Sequence, residues 1–208
     1  TEARSKSLRK QMMLSVQAII ICVLYAVLWM YYVDPLLPFY GYYDNHPYSV
    51  WEFCKNLVTY MFWFDTWFYW THRLLHMRKP FNFWKYVHSV HHQFTEDTTA
   101  FAQDAVHPFE GLLQGPMGHC GVFAIAPMHP LAAQVFGFAT AVFAIAAHDG
   151  RTGDLNNHIK HHHYVCVNYG LYWAFWDWIC GTRWAKDKYL HHSKAVDGGE
   201  EVKLKANQ

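Results

Sequence analysis

The chain has 208 residues, of which 52% are apolar and 19% aromatic, and its formal charge is +1. This length suits one domain, and the near-neutral charge argues against a nucleic-acid partner, for which a basic face would be expected. The mean hydropathy of -0.10 is low for a membrane protein, but the average conceals apolar segments that are long enough to matter.

Three segments are candidates for membrane helices. Residues 11–33 contain no Asp, Glu, Lys or Arg and exceed the ~20 residues of helix that cross a hydrocarbon core. Residues 50–70 form a second candidate, although Glu52, Lys55 and Asp65 leave a buried helix of a soluble protein as the alternative. Residues 111–148 are also free of charge, and Pro127 and Pro130 predict a helical hairpin that turns between two apolar halves.

The distribution of basic residues predicts the orientation of these helices. Basic residues precede the first candidate helix and follow the second, whereas residues 34–48 between them contain no Lys or Arg. By the positive-inside rule, both basic flanks are expected in the cytosol. We therefore predict a basic N-terminal flank over residues 1–10, one membrane domain over 11–194 with its histidines at the cytosolic face, and a polar, solvated or disordered tail over 195–208.

Eight histidines fall into three short groups, HRLLH, HSVHH and HIKHH. Positions i, i+3 and i+4 of a helix project from one face, so each group should aim its imidazoles at a common point. A lone histidine on an apolar face is usually a hydrogen-bonded core residue, and a metal-buffering tract would form one run. Three groups on separate segments instead indicate bound metal, and eight imidazoles indicate two metal ions. These residues are His72, His76, His88, His91, His92, His158, His161 and His162.

The chemistry of such a centre would differ from that of soluble di-iron bundles, because the chain lacks their Glu and Glu-x-x-His ligands. Carboxylates near the ligands would then orient the imidazole N–H groups, and the candidates, for which surface solvation is the alternative, are Glu96, Asp104, Asp149, Asp154 and Asp177. A redox-active pair beside an apolar pocket suits oxygen activation and attack on a lipid C–H bond. Zinc-catalysed hydrolysis is the alternative, although three protein ligands and a water suffice for it.

The order of HRLLH, HSVHH, HPFEG, APMHP, AHDG, HIKHH, NYG and WDWICGT resembles the fatty acid hydroxylase superfamily of membrane di-iron oxygenases, and most closely its sterol C-5 desaturase branch. The resemblance covers about residues 63–184. It implies an all-α integral membrane protein in which transmembrane helices carry a cytosolic-face helical cap with a histidine-rich dimetal site. It also implies that the eight histidines are catalytic metal ligands, that His148 is a ninth ligand, and that His107 and His119 are ligands or outer partners.

The same resemblance implies two iron ions, or zinc in a purified sample, with O2 as co-substrate and a sterol or fatty-acyl lipid as substrate. The product would be hydroxylated or desaturated, in the endoplasmic reticulum or an organelle membrane. Because the chain lacks a His-Pro-Gly-Gly haem motif, electrons would come from an external donor such as cytochrome b5 or a ferredoxin-type protein. A non-catalytic, metal-containing accessory subunit of a larger membrane complex remains the alternative, since bound metal can also stabilise a fold.

Departures from that branch leave the substrate open. Only nine residues separate His148 from His158, and His163 adds a third consecutive histidine. The aromatic segment 171–184 is expected at the membrane interface, as an anchoring belt or as a wall of the pocket. Thr98, Thr99 and Gln103 are weak candidates for facing that pocket. The remaining histidines are predicted to lie outside the site, and they are His46, His129, His191 and His192.

Overall fold

The computed structural model describes residues 2–94, 99–148 and 158–185, and every regular element within these ranges is helical, as predicted. The α-helices are α1 (Glu2–Leu28), α2 (Val50–Leu75), α3 (Ser89–His92), α4 (Pro108–Gln114), α5 (Pro116–Ile125), α6 (Pro130–His148), α7 (His158–Tyr164) and α8 (Phe175–Ile179). Short π-helical segments lie at Trp29–Val33 and Trp84–His88, and 3-10 turns lie at Asp34–Leu36, Tyr42–Asp44 and Ala100–Gln103.

Two helical runs in the described ranges are long and apolar enough to cross a membrane, namely Glu2–Leu36 and Pro130–His148. The first includes the predicted span 11–33, and its exposed side chains include Ile20 and Leu24. Exposed apolar faces of this length indicate a membrane protein. The second predicted span lies within α2, which is long enough but is not among the helices that meet this criterion.

The apolar stretch 111–148 contains the predicted turn and one further break. Helix α5 ends at Ile125 and α6 begins at Pro130, so the chain turns at the predicted prolines. Helix α4 ends at Gln114 and α5 begins at Pro116, where proline is tolerated because the first helical position needs no N–H partner. The first half of the hairpin is therefore shorter than predicted, with only 10 residues in α5.

Two tryptophans on α2 contact α5 and the end of α4. The indole N–H of Trp63 donates to the Gly118 carbonyl at 2.8 Å, and that of Trp67 donates to the Leu113 carbonyl at 2.7 Å. A Cβ at position 118 would lie 2.7 Å from Trp67 Cδ1, so only glycine allows this approach. The main apolar cluster lies beside this contact and includes Phe64 and Phe136.

Helix α1 is joined to the segment that follows α3 by buried polar contacts. The Ser15 hydroxyl donates to the Phe101 carbonyl at 2.9 Å, and the Thr99 hydroxyl donates to Gln11 Oε1 at 2.6 Å. Gln11 is fully buried. These bonds hold residues 99–103 against α1, and they direct the Thr99 side chain to Gln11, whereas Gln103 lines the cavity described below.

Candidate metal centre

Among the described residues, nine histidines meet at one end of the helical bundle, in two adjoining groups. The first histidine group consists of His72, His76, His88, His92 and His161, and the second consists of His91, His148, His158 and His162. Within each group, one ligand atom from every histidine lies within 4.8 Å of the others. The groups adjoin because the rings of His92 and His162 stack with centroids 4.6 Å apart. These nine are the eight histidines of the three sequence groups together with His148.

Nitrogen atoms converge in both groups at the spacing that a metal ion imposes. In the first group, His88 Nε2 lies 3.2 Å from His72 Nε2 and 3.0 Å from His92 Nε2. In the second group, Nε2 atoms of His91 and His148 lie 3.2 Å apart. Two nitrogens bound to one ion at about 2.1 Å are about 3.0–3.4 Å apart for octahedral or tetrahedral angles. Both groups could therefore hold a metal ion.

Backbone carbonyls fix the tautomers of three of these imidazoles. His72 Nδ1 lies 2.9 Å from the Tyr169 carbonyl, and His161 Nδ1 lies 2.6 Å from the Val167 carbonyl. In the second group, the Ala144 carbonyl accepts from His148 Nδ1 at 2.7 Å. A carbonyl only accepts, so each Nδ1 carries the proton and each Nε2 presents a lone pair. Lone pairs that face one another in a buried site repel unless a cation lies between them.

The helical spacing predicted that each sequence group aims at one point. The second and third sequence groups instead divide between the two histidine groups. His88 and His92 belong to the first histidine group, whereas His91 belongs to the second. Likewise, His161 belongs to the first group, whereas His158 and its i+4 partner belong to the second. The reason is rotational, since adjacent helical residues differ by about 100° around the axis. An i and i+4 pair shares one face, and the i+3 residue reaches the neighbouring group.

Glu110 is a member of the site that the sequence reasoning missed. Its Oε1 lies 2.7 Å from His88 Nδ1, and both side chains are 1% exposed. Burial raises the pKa of Glu110 well above its ordinary value, and burial followed by nearby histidines lowers the pKa of His88. Without a cation the pair is a neutral hydrogen bond, and a bound cation would favour the carboxylate. The sequence signal that could have identified Glu110 is its position in HPFEG, directly before the charge-free stretch 111–148.

Burial also keeps other imidazoles of the site neutral. It is the main cause that lowers the pKa of His91 well below its ordinary value, with His162 and His148 as the next contributors. Burial is also the main cause that lowers the pKa of His161, followed by the charges of His72 and His76. Neutral imidazole is the form that binds metal ions.

Asp177 holds backbone that in turn holds an imidazole, whereas the sequence suggested that it orients an imidazole directly. Its carboxylate accepts the backbone N–H groups of Tyr169 and Gly170, each at 2.9 Å, and the Thr182 hydroxyl at 2.7 Å. It thereby holds the loop whose Tyr169 carbonyl accepts from His72. Asp65 has a similar role, because its Oδ1 accepts the N–H of Tyr172 at 2.7 Å. Both carboxylates orient carbonyl-bearing backbone, and neither contacts an imidazole of the described residues.

The other candidates that the structure describes lie apart from the two histidine groups. His107 caps α4 by accepting the Phe109 N–H at 3.2 Å, and His119 lies 3.1 Å from the Tyr60 hydroxyl. Asp104 lines the cavity. His46 stacks on a tyrosine and His129 packs beside Tyr48 and Tyr43, outside both groups as predicted. The candidates Glu96, Thr98, Asp149, Asp154, His191 and His192, and the predicted tail, lie outside the described residues.

A cavity of about 530 Å³ connects the histidines to the space between the helices. Its wall includes His72 and His88 of the first group and His91, His148 and His158 of the second. Farther from the histidines, the wall consists mostly of apolar residues from α1, α2 and α6. The cavity has the size of a pocket for a small molecule, and its lining suits an apolar one.

Fold and site together define a class: an all-helical protein with apolar helices of membrane-spanning length and two adjoining, buried groups of histidines that could bind metal. Comparison with known proteins then gives the family. Residues 57–182 match the family model described as fatty acid hydroxylase, and the chain belongs to this family.

Curated relatives place the chain near the sterol desaturases. It is 32% identical over 146 residues to lathosterol oxidase from Homo sapiens, covering 65% of this chain and 47% of that protein. It is 34% identical over 122 residues to the Delta(7)-sterol-C5(6)-desaturase from Nicotiana tabacum, covering 55% and 44%. The Delta(7)-sterol 5(6)-desaturase from Saccharomyces cerevisiae is 28% identical over 165 residues, covering 76% and 43%.

These matches confirm the resemblance predicted from the motifs, including its sterol desaturase branch. In each case the match spans less than half the length of the relative. No solved structure matches the chain significantly.

Proposed function

We propose that this protein is a membrane-bound di-iron oxygenase that hydroxylates or desaturates a lipid of the sterol or fatty-acyl type, using O2 and electrons from an external donor. The observation that carries the proposal is the pair of buried histidine groups, in which carbonyl-bound imidazoles turn their lone pairs toward one another. The family of the chain and the names of its relatives, lathosterol oxidase and sterol desaturases, support the reaction class.

The ligand assignment gives one metal ion to each histidine group. One ion would be held by the first histidine group, which consists of His72, His76, His88, His92 and His161. The other would be held by the second group, which consists of His91, His148, His158 and His162. The fit is supported by neutral nitrogen donors, which suit iron and also zinc, and by Nε2 spacings of 3.0–3.2 Å. When bound, two irons would supply the reduction of O2 and the cleavage of a C–H bond.

The residues of this chain would orient the ligands and keep water away. Glu110 would hold the His88 ring and offset part of the added positive charge, since its carboxyl oxygen lies 2.7 Å from Nδ1. The carbonyls of Tyr169 and Val167 would hold the rings of His72 and His161 in their orientations. The apolar cavity wall would bind the hydrocarbon part of the lipid and exclude water from the reacting carbon.

The lipid would enter from the bilayer, and electrons would arrive at the opposite, cytosolic side. Exposed apolar side chains such as Ile19 on α1 and Phe138 on α6 line the cavity, which is the side that faces lipid in this proposal. The positive-inside rule assigns the basic flanks, and with them the histidine cap, to the cytosol. Cytochrome b5 or a ferredoxin-type protein would dock there, in the endoplasmic reticulum or an organelle membrane.

Metal analysis of the purified protein, combined with mass spectrometry of lipids incubated with O2 and a reducing system, tests the proposal. We expect two iron ions per chain and a lipid product that requires both O2 and reductant. His91→Ala should remove one ion and the activity, because this residue belongs to the second histidine group. His163→Ala is the matched control, since this neighbouring histidine is exposed.

Two outcomes would contradict the proposal in different ways. Full metal occupancy in His91→Ala would refute the ligand assignment. A metal-replete protein that oxidises none of the sterols and fatty acyl lipids offered would refute the oxygenase and favour the accessory-subunit alternative.

A further inference from the structure

The first histidine group approaches the surface of the protein, whereas the second group is enclosed. All four histidines of the second group are buried, but His76 and His92 of the first group are only partly buried. Neither of these two is among the residues that line the cavity, which meets the first group at His72 and His88. The first group therefore has one side toward the cavity and a separate side toward the surface.

Trp84 covers the surface side of the first histidine group. The centre of its ring lies 4.9 Å from the ring centres of His76 and His92, and 5.8 Å from that of His88. Trp84, His88 and His92 follow one another in steps of four residues, so they project from one side of this helical stretch. The Trp84 N–H donates to the Met77 carbonyl at 3.3 Å, which ties the stretch to the residues that follow α2. The indole is itself partly exposed, so it lies between three ligands and the solvent.

The surface around Trp84 combines apolar and basic side chains. Three apolar side chains in this stretch are between 40% and 57% exposed, and three basic side chains are exposed as well. Residues 66–94 contain no Asp or Glu, and the ion pairs found among the described residues include none of these basic side chains. We refer to the six residues as the Trp84 face, and they are Met77, Arg78, Lys79, Phe81, Lys85 and Tyr86.

The composition of the Trp84 face suits a protein partner with an acidic surface. Aromatic residues, Met and Arg are enriched at protein interfaces, and complementary charge speeds association and selects the partner. Anionic lipid headgroups would also be attracted to the basic side chains, but they do not account for an indole packed on three ligands of the first histidine group. A partner that passes electrons to this group accounts for both the charge and the indole.

We infer that an acidic one-electron carrier protein docks on the Trp84 face and that electrons reach the first histidine group through Trp84. The inference rests on the proposed function, and it names the docking surface, the residue on the path and the group that receives the electron. Because the surface side of the first group is separate from the cavity, carrier and lipid can be bound at the same time. The second group would receive electrons only from the first.

The electrons of the proposed reaction balance with this carrier. Each carrier molecule is oxidised by one electron, and two carrier molecules are oxidised for every O2 consumed. With two protons taken from water, hydroxylation converts O2 and one C–H bond into a hydroxyl group and one water molecule. Desaturation converts O2 and two C–H bonds into a double bond and two water molecules. Trp84 transmits the electron and is not consumed.

Equilibrium binding of a carrier to the full chain in nanodiscs tests the docking surface without relying on activity. The probes are the soluble haem domain of cytochrome b5 and a ferredoxin. Arg78→Glu combined with Lys85→Glu should weaken binding of the carrier about tenfold at low ionic strength, and added salt should reduce this difference. Arg4→Glu combined with Arg9→Glu is the matched control, because it changes the charge equally at exposed positions of α1 outside the Trp84 face.

Stopped-flow oxidation of the reduced carrier, at concentrations that saturate binding, tests the role of Trp84. Trp84→Leu should slow carrier oxidation about tenfold, because the indole no longer spans the gap to the ligands, and Trp84→Phe should slow it less. Reduction of the same samples by dithionite, a small reductant that needs no docking surface, should be unchanged, as should the metal content. Trp70→Leu is the matched control, since this tryptophan is 47% exposed and packs on Trp176.

Several results would overturn the inference. One is equal carrier binding by the wild type and Arg78→Glu combined with Lys85→Glu, and loss of co-purifying phosphatidylserine in that variant would then assign the face to lipid headgroups. Another is equal slowing with carrier and with dithionite in Trp84→Leu, because the effect would then lie in the ligands. If Trp84→Leu does not fold, an unchanged rate of carrier oxidation in Trp84→Phe would count against the path.

Metal content and lipid oxidation are measured on the same samples, which separates this inference from the proposed function. Carrier binding that depends on Arg78 and Lys85 in a protein that oxidises no lipid would refute the oxygenase and leave the docking surface standing. Lipid oxidation that the carrier supports equally in the wild type and in the variants of the Trp84 face would overturn the inference alone.

Discussion

Replacing Glu110 with glutamine tests whether this buried acid tunes one metal ion. The carboxyl oxygen lies 2.7 Å from His88 Nδ1, and both side chains are 1% exposed. A hydrogen bond to a charged partner contributes about 1.5–3 kcal/mol, and a neutral one contributes about 1 kcal/mol. The variant should therefore lose about 1–2 kcal/mol of binding at the first histidine group, and partners of this kind typically change metal affinity about 10- to 100-fold.

A chelator series followed by metal analysis measures this change. In Glu110→Gln we expect one ion per chain to be removed at a chelator concentration about 10- to 100-fold lower than in the wild type, while the second ion is retained. Asp104→Asn is the control, because this carboxyl lines the same cavity but belongs to neither histidine group. Unchanged retention of both ions in Glu110→Gln, or equal loss of both, would refute the reasoning.

Three further predictions concern the frame around the site. Asp177→Asn weakens the three hydrogen bonds that this carboxylate accepts, and it should destabilise the protein by about 2–4 kcal/mol. A thermal midpoint within about 1 °C of the wild-type value would contradict this role. Gly118→Val should separate α5 from α2, since a Cβ there would lie 2.7 Å from the Trp67 ring; we expect a fall of about 1–3 kcal/mol in the free energy of unfolding, and an unchanged value would argue against the close contact. Removing the metal should lower the thermal midpoint, because an ion at 100 times its Kd contributes about 2.7 kcal/mol, and restoring it should reverse the loss.

The sequence predicted which histidines come together better than it predicted how they divide between the two groups. Histidine spacing identified all eight residues of the three sequence groups, the family resemblance added His148, and the prolines predicted the turn before α6. The division of HSVHH between two groups was not predicted, because it depends on which elements pack on either side of α3. Spacing reports the face of a helix, whereas the partner of that face is a tertiary property.

Outer partners of the ligands were predicted poorly for the same reason. Three of the four fixed Nδ1 atoms bond to backbone carbonyls, which carry no signature in the sequence. The fourth bonds to Glu110, which lies 22 residues from His88 along the chain. Asp177 was a candidate for orienting an imidazole N–H group, but it holds the loop that supplies the Tyr169 carbonyl.

The shared use of α3 and α7 by both histidine groups has a consequence during synthesis of the protein. The first group includes His161 and the second includes His162, so under the proposed ligand assignment neither group is complete until the ribosome has released these residues. Nascent chains that end before residue 162 would expose incomplete histidine groups, which could bind the wrong metal. Under the proposed ligand assignment, metal loading is therefore expected only after α7 has left the ribosome, because this helix contributes histidines to both groups.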